Sequence, residues 1–167
     1  MPGWKFWKKK EEEEKKEEKK EEKKEERACT CEICRFSAKL DEKITDKSDR
    51  KIVSPFVILP STIKNTDPRK KLEEAKELEK KGDVRYVAHS YRVAAISALY
   101  KNVDRDRIWA DYSDFLSRVS LSWYSEDIKA YRELKQRKDL MEILINTYEE
   151  FIQSEVEKKK TQNISLV

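Results

Sequence analysis

Three cysteines within six residues are the part of this sequence best suited to chemistry. Cys29, Cys31 and Cys34 follow the pattern C-x-C-x2-C, and thiolates at such close spacing can bind one Zn2+ ion or an iron–sulfur cluster. The second pair has the C-x-x-C spacing of a zinc knuckle. No βαβ pattern surrounds it, which argues against a thioredoxin-like dithiol. The sequence therefore leaves two interpretations, a metal site and three plain reduced cysteines.

The number of cysteines limits the metal interpretation. A closed structural zinc site needs four ligands, and the chain contains only three cysteines. The missing ligand would have to be His89, a carboxylate such as Glu32, or a residue of another molecule. An odd number of cysteines in a chain without a visible secretory signal indicates reduced thiols, so we expect a cytoplasmic protein.

The single histidine lies on a polar strip of an otherwise apolar segment. Arg85, His89 and Arg92 are spaced i, i+4 and i+7, so they share one face of a helix. Their side chains could hold a phosphate or carboxylate group of a partner; the simpler interpretation is a strip that faces solvent. The sequence contains no P-loop, nucleophile elbow or zinc-protease motif, and it has only two glycines. We therefore predict that the protein is not an enzyme.

The first ten residues combine aromatic rings with lysines. Trp4, Phe6 and Trp7 directly precede three lysines, a combination that suits a groove on a partner protein or the surface of a membrane. The alternative is a chain end with no specific role. Glu11 to Glu26 repeats the pattern EEKK, which places like charges four residues apart and weakens a helix. We expect this arm to be a marginal helix or a solvated run of charges.

The overall charge is large in amount and balanced in sign. The chain has 38 Lys and Arg against 34 Asp and Glu, a net charge of +4, and no segment is strongly basic. This balance weakens a nucleic-acid interpretation based on isoelectric point alone, and the Lys and Glu enrichment fits a thermophilic source. The longest apolar run, Ile52 to Leu59, is too short to span a bilayer, so we predict no transmembrane segment.

The elements that position these residues are predicted to be helices around one central helix. Most residues from Val84 to Tyr100 are apolar or aromatic on every side, which is typical of a helix that others surround. Asp67 and Asp83 are suitable N-caps for helices over 68–81 and 84–100. Further periodic segments predict helices over 106–123 and, after a cap at Ser125, over 126–157, with a possible break near Lys138. The predicted fold is an all-α bundle of about four helices.

The chain divides by composition into four parts. Residues 1–28 form the charged arm, 29–66 a cysteine knuckle and linker, 67–160 the helical domain, and 161–167 a tail. Prolines at 55, 60 and 68 interrupt the linker, so we expect Ile52–Leu59 to be an extended segment that lies on the helical domain.

The hairpin around Gly82 resembles a tetratricopeptide repeat. Gly82 and Asp83 stand between two helices, with Tyr91 nine and Ala94 twelve residues after the glycine. The resemblance covers about 34 residues, and no second repeat is present. Val87 stands where the family usually has alanine. The resemblance implies a protein-binding scaffold without catalytic activity.

The end of the fourth helix offers a further candidate surface. An apolar stripe continues through Leu144, Tyr148, Phe151, Ile152 and Val156, beyond the length that three shorter helices can cover. Either the helix folds back near Lys138, or the Ile52–Leu59 segment or a partner covers the stripe. We therefore predict an interaction module or accessory subunit that docks onto a protein partner. The alternative is a nucleic-acid or ribonucleoprotein-binding protein with a metal knuckle.

Overall fold

Helices account for nearly all of the regular structure. The computed structural model describes residues 29–119 and 121–164, and within these ranges there are eight α-helices, one 3-10 turn and no β-strand. The helices are α1 (Glu32–Lys43), α2 (Lys47–Val53), α3 (Pro60–Asn65), α4 (Pro68–Glu79), α5 (Val84–Lys101), α6 (Arg105–Arg118), α7 (Ser122–Gln136) and α8 (Lys138–Ile164). The all-α prediction is confirmed, whereas the number of helices exceeds the four expected.

Predicted N-caps are found at the two helices of the hairpin. The Asp67 carboxylate accepts hydrogen bonds from two backbone amides in the first turn of α4, and the Asp83 carboxylate accepts one from the first turn of α5. Gly82 between them has φ +88°, a left-handed conformation that glycine adopts without steric cost. Asn102 takes the corresponding left-handed position at the end of α5.

Helix α5 is the centre of the fold. Its residues are buried along most of its length, and it packs against α3, α4, α6 and α8. The Tyr91 ring stacks on Phe115 of α6 at a centroid distance of 4.8 Å. At the other end, the buried Tyr100 hydroxyl donates to the Phe56 carbonyl at 3.1 Å. The prediction of a surrounded central helix is confirmed.

The predicted extended conformation of Ile52–Leu59 is wrong for residues 52–56, whereas residues 57–59 lie outside any helix and Val57 is extended. Helix α2 continues to Val53, and Ser54–Phe56 forms a 3-10 turn with Pro55 inside it. Proline is tolerated here because the first turn of a helix needs no amide donor at that position. Val53 and Phe56 are fully buried, so this segment does lie on the helical core, as expected, but in helical form.

The predicted fourth helix is two helices that meet at Arg137. Residue 137 leaves the helical conformation, and its guanidinium donates to both carboxylate oxygens of Asp49 in α2 at 2.8 and 3.0 Å. Two neighbouring boundaries also differ from prediction. Helix α6 ends at Arg118, where Val119 becomes extended, and α7 begins at Ser122 rather than after Ser125.

The unit that contains the eight described helices begins at Glu32, well before the predicted domain start at Asp67. Helix α1 accounts for much of this difference, because Phe36 and Leu40 are fully buried and α1 packs along α8. Within the described ranges, no helix is both long and apolar enough to cross a membrane.

Candidate functional site

The three cysteines form a cluster of thiols. Their sulfur atoms all lie within 4.8 Å of one another. Cys29 and Cys31 are exposed, Cys34 is half-buried, and none of them is in a disulfide. Because the three belong to six consecutive residues, the chain itself keeps the thiols close. A group of this kind can hold a metal ion.

The first turn of α1 fixes the position of Cys34. Glu32 accepts hydrogen bonds from the Ser61 backbone amide at 2.6 Å and from the Ser61 hydroxyl at 2.7 Å, which joins α1 to α3. One turn on, the Arg35 guanidinium donates to Glu155 of α8 at 2.6 and 3.2 Å. Cys34 lies between these two anchors in the sequence, so its backbone is held on two sides.

One predicted metal ligand, Glu32, is held on Ser61 in this structure and lies outside the group of thiols. Both oxygens of its carboxylate are hydrogen-bonded to Ser61. His89 is exposed on α5, and among the described His, Cys, Asp and Glu side chains only Cys29, Cys31 and Cys34 form a possible metal group.

A second candidate site is an exposed turn that leads into the central helix. Every residue from Lys80 to Tyr86 is exposed, including two large hydrophobic side chains, Val84 at 39% and Tyr86 at 50%. Arg85 and His89 are also exposed and lie one helical turn apart. We call this surface the Tyr86 patch; its members are Lys80, Lys81, Val84, Arg85, Tyr86 and His89.

The Tyr86 patch is basic. Lys80, Lys81 and Arg85 lie within six residues, with Asp83 as the single acid among them. Asp83 itself caps α5, and Lys80 forms an ion pair with Glu77 at 2.7 Å. The patch therefore presents apolar and aromatic surface surrounded by positive charge.

Arg92 is half-buried and held by neighbouring elements, unlike the exposed residues Arg85 and His89 of the predicted strip. Its Nε donates to Asp127 at 2.7 Å, and its Nη2 donates to the Pro55 carbonyl at 2.6 Å. The Tyr112 hydroxyl donates to the same Asp127 oxygen at 3.1 Å. Burial raises the pKa of Asp127 above its usual value, although Arg92 and Tyr112 oppose that shift. This network joins α5, α6, α7 and the 3-10 turn, so its role is structural.

Tyr148 and Phe151, predicted as partner-binding residues, are buried within the chain. The Phe151 ring meets Phe36 of α1 edge-on at 5.6 Å, and the Tyr148 ring lies 4.9 Å from Tyr100 of α5. Helix α1 supplies the cover that the sequence left unassigned, because its residues were predicted to be a loose linker. Neither ring can reach a partner unless these helices separate.

Other predicted positions lie elsewhere. Trp4, Phe6 and Trp7, together with the EEKK repeat, lie outside the described residues. Sequence reasoning missed Val84 and Tyr86 as surface residues because the periodicity of α5 assigned them to a buried helix. The available signal was their place in the first turn of α5, directly after a Lys-Lys-Gly-Asp loop.

Comparisons with known protein families, with curated proteins and with solved structures give no match.

Proposed function

We propose that the chain is a non-enzymatic interaction protein, an accessory subunit that docks onto an acidic protein surface through the Tyr86 patch. The observation that carries this proposal is the exposure of Val84 and Tyr86 on either side of Arg85. Tyrosine and arginine are the residue types that most often dominate binding energy at protein interfaces.

The charge of the patch indicates the chemistry of its partner. Cations at 80, 81 and 85 around an apolar centre match an apolar pocket with an acidic rim. Complementary charge speeds association and selects among partners, while the buried aromatic ring supplies most of the affinity. In this proposal Tyr86 enters the pocket, and Arg85 pairs with a carboxylate at its edge.

The proposal includes a metal at the thiol cluster, with zinc and an iron–sulfur cluster as the two candidates. A metal bound there would crosslink the three thiols within these six residues. Cys34, the half-buried ligand, would join the metal to the first turn of α1. The tetratricopeptide-like hairpin and the N-terminal arm as a tether remain part of the same proposal.

Site-specific photo-crosslinking tests the docking surface. The full chain with Tyr86→p-benzoylphenylalanine should give a discrete adduct with an acidic protein in its native cells. Adding Arg85→Ala or raising the salt concentration should reduce that adduct at least tenfold, because the rim contacts are charged.

The matched control is the same crosslinker at Leu59, another exposed large hydrophobic residue at 43%. Leu59 precedes α3, which lies near the far end of α5, where the Lys101 ammonium donates to the Lys64 carbonyl. The position 59 variant should not give the adduct. Identical adducts from both positions would contradict the proposed surface, and a nuclease-sensitive adduct at position 86 would favour nucleic-acid binding instead.

A further inference from the structure

We propose that Cys29, Cys31 and Cys34 bind a single Zn2+ ion through three thiolates and leave its fourth position open to a thiolate or imidazole ligand from outside the chain. This inference rests on the metal-binding part of the proposed function and is independent of the Tyr86 patch.

The spacing of the thiols favours one ion over a cluster. Tetrahedral zinc with Zn–S bonds of about 2.3 Å requires sulfur atoms about 3.8 Å apart. The three sulfurs already lie within 4.8 Å of one another, so they need to close by about 1 Å or less. In a [4Fe–4S] cluster each thiolate binds a different iron, which holds the sulfurs farther apart, and a [2Fe–2S] cluster needs a second pair of ligands on its other iron. Cys29 and Cys31 precede the helix and are exposed, so small adjustments there disturb no core packing.

The chain supplies no fourth sulfur or imidazole ligand at this site. It contains three cysteines and one histidine, and His89 is an exposed residue of α5 that lies outside the metal-ligand group. Glu32, the nearest carboxylate in sequence, has both oxygens hydrogen-bonded to Ser61. Using Glu32 as a ligand would remove the hydrogen bond that the first turn of α3 receives. Among the described residues nothing else fills the fourth position, so it is left to water until another molecule supplies a stronger donor.

The fourth coordination position of the zinc ion can be reached by other molecules because the site is exposed. Two of the three ligands are on the surface, whereas structural zinc sites are closed by four protein ligands. Zinc with three thiolates is borderline-soft, so it prefers sulfur or nitrogen over an oxygen of water. Such a ligand can come from a small thiol or from a cysteine or histidine of a partner protein.

Cobalt substitution provides the test. The full chain, reduced and kept under anaerobic conditions, is titrated with Co2+. We expect one ion per chain, thiolate-to-cobalt charge-transfer absorbance, and displacement of cobalt by Zn2+. Imidazole or 2-mercaptoethanol should then shift the visible bands in a saturable manner, with one ligand per ion.

Variants assign the ligands. Cys34→Ser should lower the affinity for Co2+ at least tenfold and reduce the charge-transfer band, because it removes one thiolate. Glu32→Gln should leave the spectrum and its response to imidazole unchanged. A spectrum that changes in Glu32→Gln but not in Ser61→Ala, which weakens the same anchor and keeps the carboxylate, would identify Glu32 as the fourth ligand and overturn the open position.

Each outcome of the titration tests a different part of the proposal. Failure to bind Co2+ or Zn2+ would overturn the metal site and leave the Tyr86 crosslinking result standing. Bound cobalt whose bands ignore added ligands would show a closed site and overturn the open position. A ratio of one ion per two chains, with a metal-dependent dimer in light scattering, would show that a second copy fills the position and would overturn ligand exchange in the single chain. A response to 2-mercaptoethanol in the monomer identifies a small thiol as a sufficient source, while a metal-dependent complex with the Tyr86 partner identifies a protein source.

Discussion

Phe36 in α1 and Phe151 in α8 meet edge-on, with ring centroids 5.6 Å apart. Both side chains are almost completely buried, although they are more than a hundred residues apart in the sequence. Lys39 of α1 also lies over the Phe151 ring, with its nitrogen 5.8 Å from the centroid. This contact is one of those that make the segment before residue 67 part of the fold.

Phe36→Ala should therefore destabilise the protein strongly. Removing a buried phenylalanine ring costs about 3–5 kcal/mol, from lost burial and the cavity that remains. Chemical denaturation of the full chain measures the change. Leu59→Ala is the control; as an exposed residue it should change the free energy of unfolding by about 0.5 kcal/mol or less.

The same contact bears on whether residues 67–160 fold alone, as the sequence predicts. A fragment of those residues lacks α1 and exposes the Phe151 and Tyr148 rings. We expect it to melt at a lower temperature than a 29–164 fragment and to bind hydrophobic dyes. Equal melting temperatures for the two fragments, or a Phe36→Ala variant as stable as the parent, would show that α1 contributes little.

The fold class, the central helix and the caps of the hairpin were predictable because each depends on local sequence. Asp67 and Asp83 act on amides only two or three residues away. The role of α1 was not predictable in the same way. Its few apolar residues, such as Phe36 and Leu40, are separated by charges, and their burial depends on α8 at the other end of the chain.

The candidate sites also differ in whether they depend on local sequence or on distant contacts. The cysteine cluster follows from spacing along six residues, so the sequence was enough to propose it. The burial and contacts of Arg92, Tyr148 and Phe151 depend on residues of this chain that are distant in the sequence. Arg92 and Arg85 share a helical face, yet Arg92 reaches Asp127 and Pro55, which no periodicity in α5 could indicate.

Arg92→Met should destabilise the protein by about 3 kcal/mol at neutral pH. It leaves the Asp127 carboxylate, a residue only 5% exposed, without its cation, and an unpaired buried charge is costly. Adding Asp127→Asn removes that charge, so the double variant should regain much of the loss. A double-mutant cycle from urea unfolding measures the coupling; additive effects would contradict the role assigned to this pair.

The stability of the parent protein should also depend on the ionisation of Asp127. Burial raises the pKa of this carboxyl in the folded protein, so the folded state holds the proton more tightly than the unfolded chain. Its contribution is fully present below the unfolded pKa and is lost as the pH rises through the raised folded pKa. The Asp127→Asn variant lacks this contribution. The unfolding free energy of the parent minus that of the variant, measured across acidic pH, should therefore decrease as the pH rises. A difference that stays constant would contradict this assignment.

Glu32 takes over a capping role that Leu59 cannot perform. Helix α3 begins after Leu59, which offers no side-chain acceptor, and the Glu32 carboxylate accepts from the Ser61 amide and hydroxyl instead. Removing such a cap costs about 1 kcal/mol, so Glu32→Ala should lower the unfolding free energy by about that amount. Glu32→Gln retains an acceptor oxygen and should cost less.

Ser61→Ala removes only the hydroxyl donor and serves as the matched control for the second hydrogen bond. If Glu32→Ala leaves stability unchanged while Ser61→Ala lowers it, the anchor between α1 and α3 is not the one described, and the position of Cys34 would have to be fixed by the Arg35 contact with Glu155 alone.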